Sequence, residues 1–327
     1  MVAATRIPGV VKYENALAIS PTALGVVEVD KLFTAVALNP RRPKDTIHYQ
    51  LPEVRRPLYP YQREGARKIT EAGSLLLCDS MGLGKCGQAI SAASALTQGR
   101  PVVIVAPLFT REVWRRELEA LGFLDDAVVF CALATRDLSD STWDSHASWY
   151  FVHYDIVHAW HSRFNTLPFD RRPVVVIVDE AHYIKHSNSQ RSKGTYSLCA
   201  AAPHRILLTG TPMESTPREL WNLLRCTTGP QTWGSSLDFR RRHCGAQHDG
   251  YHWADGAPTH VEELRQRMAP WYLRRTAEDV ALELPPLTRT IYTVDIDEAA
   301  MRAHEDAREG FDLTALVRAI ARGDANR

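Results

Sequence analysis

Three short segments of this 327-residue chain hold residue types that could handle a phosphorylated nucleotide. The first is Asp79-Ser80-Met81-Gly82-Leu83-Gly84-Lys85-Cys86, placed between an apolar run and a helical one. Glycines let the backbone curl so that its N–H groups face an anion, and a helix N-terminus adds partial positive charge. Lys85 would then reach the β- and γ-phosphates, with Gly82, Leu83, Gly84 and Cys86 around them. The strict pattern G-x-x-x-x-G-K-[ST] is missed twice, at Asp79 and at Cys86, and alone the segment reads equally well as an incidental Gly-rich turn.

The second segment, Asp179-Glu180-Ala181-His182, follows directly on Val174-Val175-Val176-Ile177-Val178. A buried strand ending in two carboxylates sets both at the carboxyl edge of a sheet, where open α/β sheets bind ligands. There Asp179 would hold Mg2+ through its water shell and Glu180 would orient the attacking water. A solvated acidic turn is the alternative, and the phosphate-loop pattern upstream argues against it. The third segment, Leu207-Leu208-Thr209-Gly210-Thr211-Pro212, again leaves a strand in hydroxyls and a glycine, a turn suited to sensing the γ-phosphate or to being an ordinary strand exit.

The surrounding pattern supplies elements to hold these turns. Apolar strands are expected at Ser74–Cys78, Val102–Ala106, Ala127–Phe130, Trp149–Val152, Val174–Val178 and Arg205–Leu208, with helices at Lys85–Leu96 and Thr110–Leu121. Continuous β-branched runs alternating with helices predict a parallel sheet covered on both faces. Residues 1–52 read as an accessory segment with strands at Val26–Val29 and Phe33–Leu38; residues past 216 read as mainly helical, ending in a helix from Glu298 to about Arg322.

Composition narrows the class. Hydrophobic residues make up 45% and charged ones 24%, which excludes a disordered tail, a collagen or a small disulfide scaffold. No apolar run reaches the ~18 residues of a membrane span, and Met1 to Pro8 has no signal core, so no membrane partner and a cytoplasmic location (nuclear in a eukaryote) are expected. The six cysteines lack paired spacing, which suits a reducing compartment. Net charge is +1, but residues 277–310 alone carry nine acids against three arginines, so a basic segment precedes them.

Order and spacing of the three segments resemble the first motor lobe of a Swi/Snf-type ATPase, within the superfamily-two helicases and DNA translocases. The resemblance runs from Leu58 to about Val294. Leu58-Tyr59-Pro60-Tyr61-Gln62 is similar to the opening motif, whose glutamine reads adenine; here that is Gln62. Asp79 to Cys86 resembles motif I, Val105-Ala106-Pro107 through Trp114 and Glu117 motif Ia, and His153-Tyr154-Asp155 motif Ib. The Asp-Glu-Ala-His box at 179–182, with Ile184 and Lys185, resembles motif II, and Leu208 to Pro212 motif III. Leu273-Arg274-Arg275-Thr276 with Asp279-Val280 and Glu283-Leu284-Pro285-Pro286 resembles a segment peculiar to this family. The stretch Arg240–Cys244 looks closest to the annealing-helicase branch and its bacterial and phage relatives.

The resemblance implies a RecA-like P-loop lobe over 53–296, with a helical extension after motif III and a C-terminal helix over 297–327. It implies ATP and Mg2+ as cofactors, double-stranded or branched DNA as partner, and translocation or remodelling more than processive unwinding. Lys85, Asp179, Glu180 and His182 would be catalytic. Thr110, Arg111 and Lys185 would take phosphates without reading sequence, with Thr209, Gly210 and Thr211 coupling the two sites.

Departures matter as much. Cys86 stands where the family has Thr or Ser as a magnesium ligand, and a thiol is a poor ligand for so hard an ion. A weakened ATPase, a nucleotide binder that does not hydrolyse and a metal held entirely through water stay open. Met213-Glu214-Ser215 replaces the usual Leu-Gln-Asn, and residues 216–327 lack a Gln-x-x-Gly-Arg-x-x-Arg run. Hydrolysis is therefore expected to need a second RecA-like lobe in cis or trans.

Three further clusters invite other readings. His243-Cys244 with His248, His252 and His260 suggests a metal set, but without paired spacing it reads as a polar insertion. Trp143, Trp149 and Trp160 suit core packing better than base stacking. Arg55, Arg56, Arg63, Arg67 and Lys68 are either a phosphate-binding patch or a solvated face.

Overall fold

The computed structural model describes residues 50–125, 130–136, 143–229 and 231–280, together with the backbone of 10–13 and 16–19. The last two are strands β1 (Val10–Tyr13) and β2 (Ala16–Ile19), an antiparallel hairpin. The strands expected at 26–38 and the helix expected over 298–322 lie outside the described residues.

Helix α1 (Pro60–Ala72) starts on a proline, whose missing N–H costs nothing in a first turn. It ends at Gly73 in the left-handed conformation (φ 69°), which leads directly into β3 (Ser74–Leu77). Then follow α2 (Lys85–Leu96), β4 (Val102–Ala106), α3 (Arg111–Leu121), β5 (Phe130–Ala132), β6 (Trp149–His153), α4 (Val157–Thr166), β7 (Val175–Val178), α5 (Gln190–Ala201) and β8 (His204–Leu208). Strand β5 pairs with β6 from Phe130, the last residue of the expected strand, as far as Ala132; residues 127–129 of that expectation lie outside the described residues.

After β8 the chain forms α6 (Arg218–Thr228), α7 (Ser236–His243), a small antiparallel hairpin β9 (Gln247–His248) and β10 (Trp253–Ala254), and α8 (Val261–Met268). It then returns to the sheet as β11 (Tyr272–Leu273), an edge strand that the mainly helical expectation for this region missed. Two residues are too few for hydrophobic periodicity to register.

Seven strands form one parallel sheet in the order β11-β3-β8-β7-β4-β6-β5. Strands β3, β4, β7 and β8 are buried almost throughout, as the unbroken apolar runs require. Alternate residues still divide between the faces. Leu75, Leu77, Ile104, Ile177 and Leu208 meet Ile69, Ile90, Trp114 and Leu118 from α1–α3. Leu76, Val103, Val105, Val176 and Leu207 meet Trp160, Phe164, Leu198 and Leu223 from α4–α6. Register in a sheet buried on both faces is strongly specified, since a one-residue slip would exchange these two sets.

The tryptophans serve packing. Trp149 and Trp160 are buried, and Trp143 stacks on Tyr150 and Trp160 at 5.2 and 5.3 Å. No group of three His, Cys, Asp or Glu able to hold a metal occurs among the described residues. His248 packs edge-on against Trp253, and His260 approaches the Arg242 carbonyl through Nδ1 at 2.9 Å. His243 is 1% exposed against Phe239, with neither ring nitrogen partnered among the described residues, and burial lowers its pKa from 6.5 to about 4.

That burial has a pH consequence. Above pH 6.5 the imidazole is neutral in both folded and unfolded chains. As pH falls toward about 4 the unfolded chain binds a proton that the folded one resists, so stability drops by up to ~3 kcal/mol. Urea titrations at pH 7 and pH 5 should show the wild type losing about 2 kcal/mol more than His243→Gln. Equal losses would remove His243 as the cause.

Candidate nucleotide-binding site

Strands β3, β8, β7 and β4 lie side by side, so the turns leaving their carboxyl ends crowd one edge of the sheet. The turn after β3 is the glycine loop. Gly82 and Gly84 have φ of 84° and 66°, the left-handed region that disfavours side chains. Gly84 is doubly constrained: a Cβ there would lie 2.3 Å from Nε2 of Gln62. Helix α2 starts at Lys85, whose Nζ donates to the carbonyls of Asp79 (2.8 Å) and Ser80 (3.2 Å). The lysine therefore sits folded over the loop that would enclose the phosphates.

Gln62 sits on the first turn of α1, against this loop. Its Nε2 donates to the Leu83 carbonyl (3.2 Å) and its Oε1 accepts from the Tyr59 N–H (3.1 Å). Both ends of the amide thus brace the opening segment against the glycine loop. Reading adenine with this side chain would share or replace these bonds.

Asp179 and Glu180 leave β7. Asp179 is 8% exposed; its Oδ2 accepts from the indole N–H of Trp114 (2.9 Å) and its Oδ1 from the Glu180 N–H (2.9 Å). Burial raises its pKa, and the Trp114 bond opposes the rise. Glu180 occupies the left-handed region (φ 48°, ψ 52°), a conformation disfavoured for a side chain that bears a Cβ. Two contacts support it: Tyr154 from the end of β6 donates to the Asp179 carbonyl, and His182 lies 3.2 Å from the Glu180 carboxylate. The His182 contact holds Glu180 below the usual carboxylate range, so it is ionised at neutral pH.

The turn after β8 closes the constellation. His182 Nδ1 approaches Thr209 Oγ1 at 3.4 Å, and that oxygen accepts from the Thr211 N–H at 3.1 Å. A Cβ on Gly210 would stand 3.1 Å from Met81 Cγ and 3.9 Å from Lys85 Nζ, so the third turn packs on the first. Lys85, Asp179, Glu180, His182 and Thr209-Gly210-Thr211 therefore converge, as their sequence order suggested.

The remaining sites are less open. Thr110 and Arg111 open α3 beyond β4, with the Thr110 hydroxyl donating to the Pro107 carbonyl at 2.8 Å. Lys185 is ion-paired with Glu214 at 2.6 Å and reaches Glu219 at 3.8 Å, so the departure at Glu214 occupies a cation expected to meet phosphate. In the basic cluster, Arg56 pairs with Glu117 at 2.6 Å, which favours a structural use for that member.

Cys86 tests the fit to magnesium. Burial, with Asp179 and Glu117 near, pushes its thiol pKa well above the ordinary value, so it is a neutral sulfur and a poor donor to a hard cation. The oxygen-bearing residues fit better: Asp179 presents a buried carboxylate at the edge that also carries Lys85.

Four residues at this site escaped assignment from sequence. Arg275, just past β11, pairs with Asp79 at 2.6 Å, while Gln88 donates to the same carboxylate at 3.0 Å and Gly65 gives them room. Trp114 was noted only as part of a motif, without its bond to Asp179. Arg275 was likewise noted only within a motif, Gln88 is a polar residue inside the apolar run of α2, and Gly65 carried no signal of its own.

Comparison with known proteins agrees with this arrangement. The model of the SNF2-related domain matches residues 48–325. The DNA annealing helicase and endonuclease ZRANB3 of Homo sapiens is 29% identical over 255 residues, covering 76% of this chain and 23% of that protein. The SWI/SNF-related matrix-associated actin-dependent regulator of chromatin subfamily A-like protein 1 of Bos taurus is 32% identical over 237 residues, 70% of this chain and 23% of that protein. The chain thus spans less than a quarter of these two relatives. The solved Sulfolobus solfataricus SWI2/SNF2 ATPase core in complex with dsDNA shares the fold with a TM-score of 0.59 at 21% identity, over 84% of this chain and 59% of that one. Sheet order, converging turns and a family match over most of the length lead to one assignment: the chain belongs to the SNF2-related domain family.

Proposed function

We propose that this chain is the ATP-binding motor lobe of a DNA-dependent ATPase that translocates on duplex DNA, of the remodelling or annealing type. One observation carries the reading: Lys85, the Asp179–Glu180 pair and the Thr209–Thr211 turn meet at neighbouring strand ends, with His182 joining the second to the third. In this reading Lys85 and the loop N–H groups hold the phosphates. Asp179 holds magnesium through water, and the metal when bound offsets charge on the transferring phosphoryl group. Glu180 orients the attacking water, and His182 relays its state to Thr209.

A second RecA-like lobe, in cis or trans, completes the catalytic cleft. Supporting this are large apolar side chains left open on the same edge, Met81 at 78% and Phe109 at 76% exposed, which suit an apposed partner surface. Arg111 lies beside Phe109 and takes backbone phosphates of double-stranded or branched DNA, and the Thr110 hydroxyl would join it by leaving the Pro107 carbonyl.

The test is ATP turnover with and without duplex DNA, for this chain and for the chain supplied with a second lobe. DNA-stimulated turnover that appears or rises with the second lobe is expected. No turnover in either case would favour the other reading, a nucleotide-gated DNA-binding or scaffold protein, which the neutral thiol of Cys86 supports. Replacing that thiol separates the two. Cys86→Thr returns a hard oxygen beside Asp179 and should raise DNA-stimulated hydrolysis. An unchanged or lower rate would count against the magnesium argument.

A further inference from the structure

We infer that Arg275 is a positioning residue for the phosphate loop, making nucleotide affinity depend on how the chain leaves the sheet after β11. The inference rests on the nucleotide-binding reading for its affinity readout only. Asp79 is fully buried, and Arg275 grips it in a fork: Nε to Oδ1 at 3.1 Å and Nη2 to Oδ2 at 2.6 Å. The same guanidinium donates to Gln88 Oε1 at 2.7 Å and to the Tyr61 carbonyl, with its carbon 5.4 Å from the Tyr61 ring centroid.

Four segments therefore share one cation: the end of β11 and, about 200 residues before it, α1, the start of the glycine loop and α2. The backbone repeats the link. Cys78 N–H donates to the Leu273 carbonyl (2.6 Å) and Ser80 N–H to that of Arg275 (2.9 Å), so pairing with the β11 segment continues into the loop itself. On the other side of the same dipeptide, Arg274 donates to the Gly210 carbonyl at 3.3 Å. Arg274-Arg275 thus joins the phosphate loop and the turn after β8, the two elements that face each other across Lys85.

Gly65 shows how tightly the network is packed. A Cβ there would stand 1.9 Å from Gln88 Oε1 and 2.7 Å from Arg275 Nη2. Both atoms are the bonding partners just described, and one is tied to a buried carboxylate. The glycine in α1 is therefore required by the arginine–aspartate–glutamine cluster, and the position is accounted for only in three dimensions.

The grip on Asp79 needs a planar fork, which lysine lacks while keeping the charge. Two variants test it: Arg275→Lys, and Gly65→Ala, which crowds the cluster with every charged group present. Hydrogen exchange of nucleotide-free protein reads the loop directly, and titration with a fluorescent ATP analogue reads affinity. Faster exchange in peptides over 79–88, with unchanged exchange in β4 and β7, and affinity weakened about 10-fold are expected. Wild-type exchange and affinity in either folded variant would overturn the proposal. Faster loop exchange in the variants, with no analogue binding by the wild type, would sustain the anchor and remove the nucleotide reading instead.

Discussion

Glu180→Gln should lower DNA-stimulated ATP turnover by roughly 10²–10⁴-fold, the range for loss of a positioned general base, while analogue binding stays within about twofold. The substitution keeps size and shape at a residue whose backbone lies at φ 48°, ψ 52°, so Tyr154 and Asp179 still hold the turn. What changes is charge. The carboxylate, ionised at neutral pH and held still lower in pKa by His182 at 3.2 Å, can accept a proton from water, whereas an amide cannot. Loss of turnover with retained binding would give Glu180 a role in the chemical step. Turnover within tenfold of wild type would place the activating group elsewhere and demote the Glu180–His182 pair to loop support.

Trp114→Ala should destabilise the lobe by ~3–5 kcal/mol, the usual range for emptying a buried tryptophan site. Trp114 is fully buried from α3 against the face of the sheet packed by α1–α3. Its indole N–H also donates to Asp179 Oδ2 at 2.9 Å, so the substitution both opens a cavity and strips a donor from a buried carboxylate. Trp114→Phe separates the two effects, because most of the apolar bulk remains while the donor is lost. Chemical denaturation should place the phenylalanine variant between wild type and alanine. A phenylalanine variant as stable as wild type would show the hydrogen bond to be worth nothing to folding, and an alanine cost below about 1 kcal/mol would contradict the packing itself.

Several features of this site were readable along the chain. Gly82 and Gly84 announce a backbone that only glycine enters easily, Val175 to Val178 announces a strand buried on both faces, and Asp179-Glu180 must then fall at its carboxyl end. Such readings work because each depends on conformational preference over a handful of residues. The pattern also placed α2 at Lys85–Leu96 and β4 at Val102–Ala106 without error. Strand β11 was missed because two residues carry no period, and its place beside β3 is set by backbone pairing with Leu76 and Leu77.

Side-chain partners were legible only in part. Lys185 and Thr110 looked like free donors to phosphate, yet Glu214 and the Pro107 carbonyl hold them. Asp79 looked like a defect in a glycine loop and is its anchor point, joined to Arg275 across 196 residues of chain. His243 read as part of a polar insertion and is a buried imidazole whose pKa burial lowers to about 4.

The sequence by itself determined the type and order of the strand ends, and hence that a phosphate loop, a carboxylate pair and a hydroxyl turn exist. Local backbone preference and the alternation of apolar runs suffice for that. Only the tertiary structure decided which groups complete them: Arg275 for Asp79, Trp114 for Asp179, His182 for Glu180 and Thr209. A chain of residues names its donors and acceptors, but a hydrogen bond needs about 3 Å and a direction. For groups 65 or 196 residues apart, those are set by how the sheet is ordered and how its helices pack.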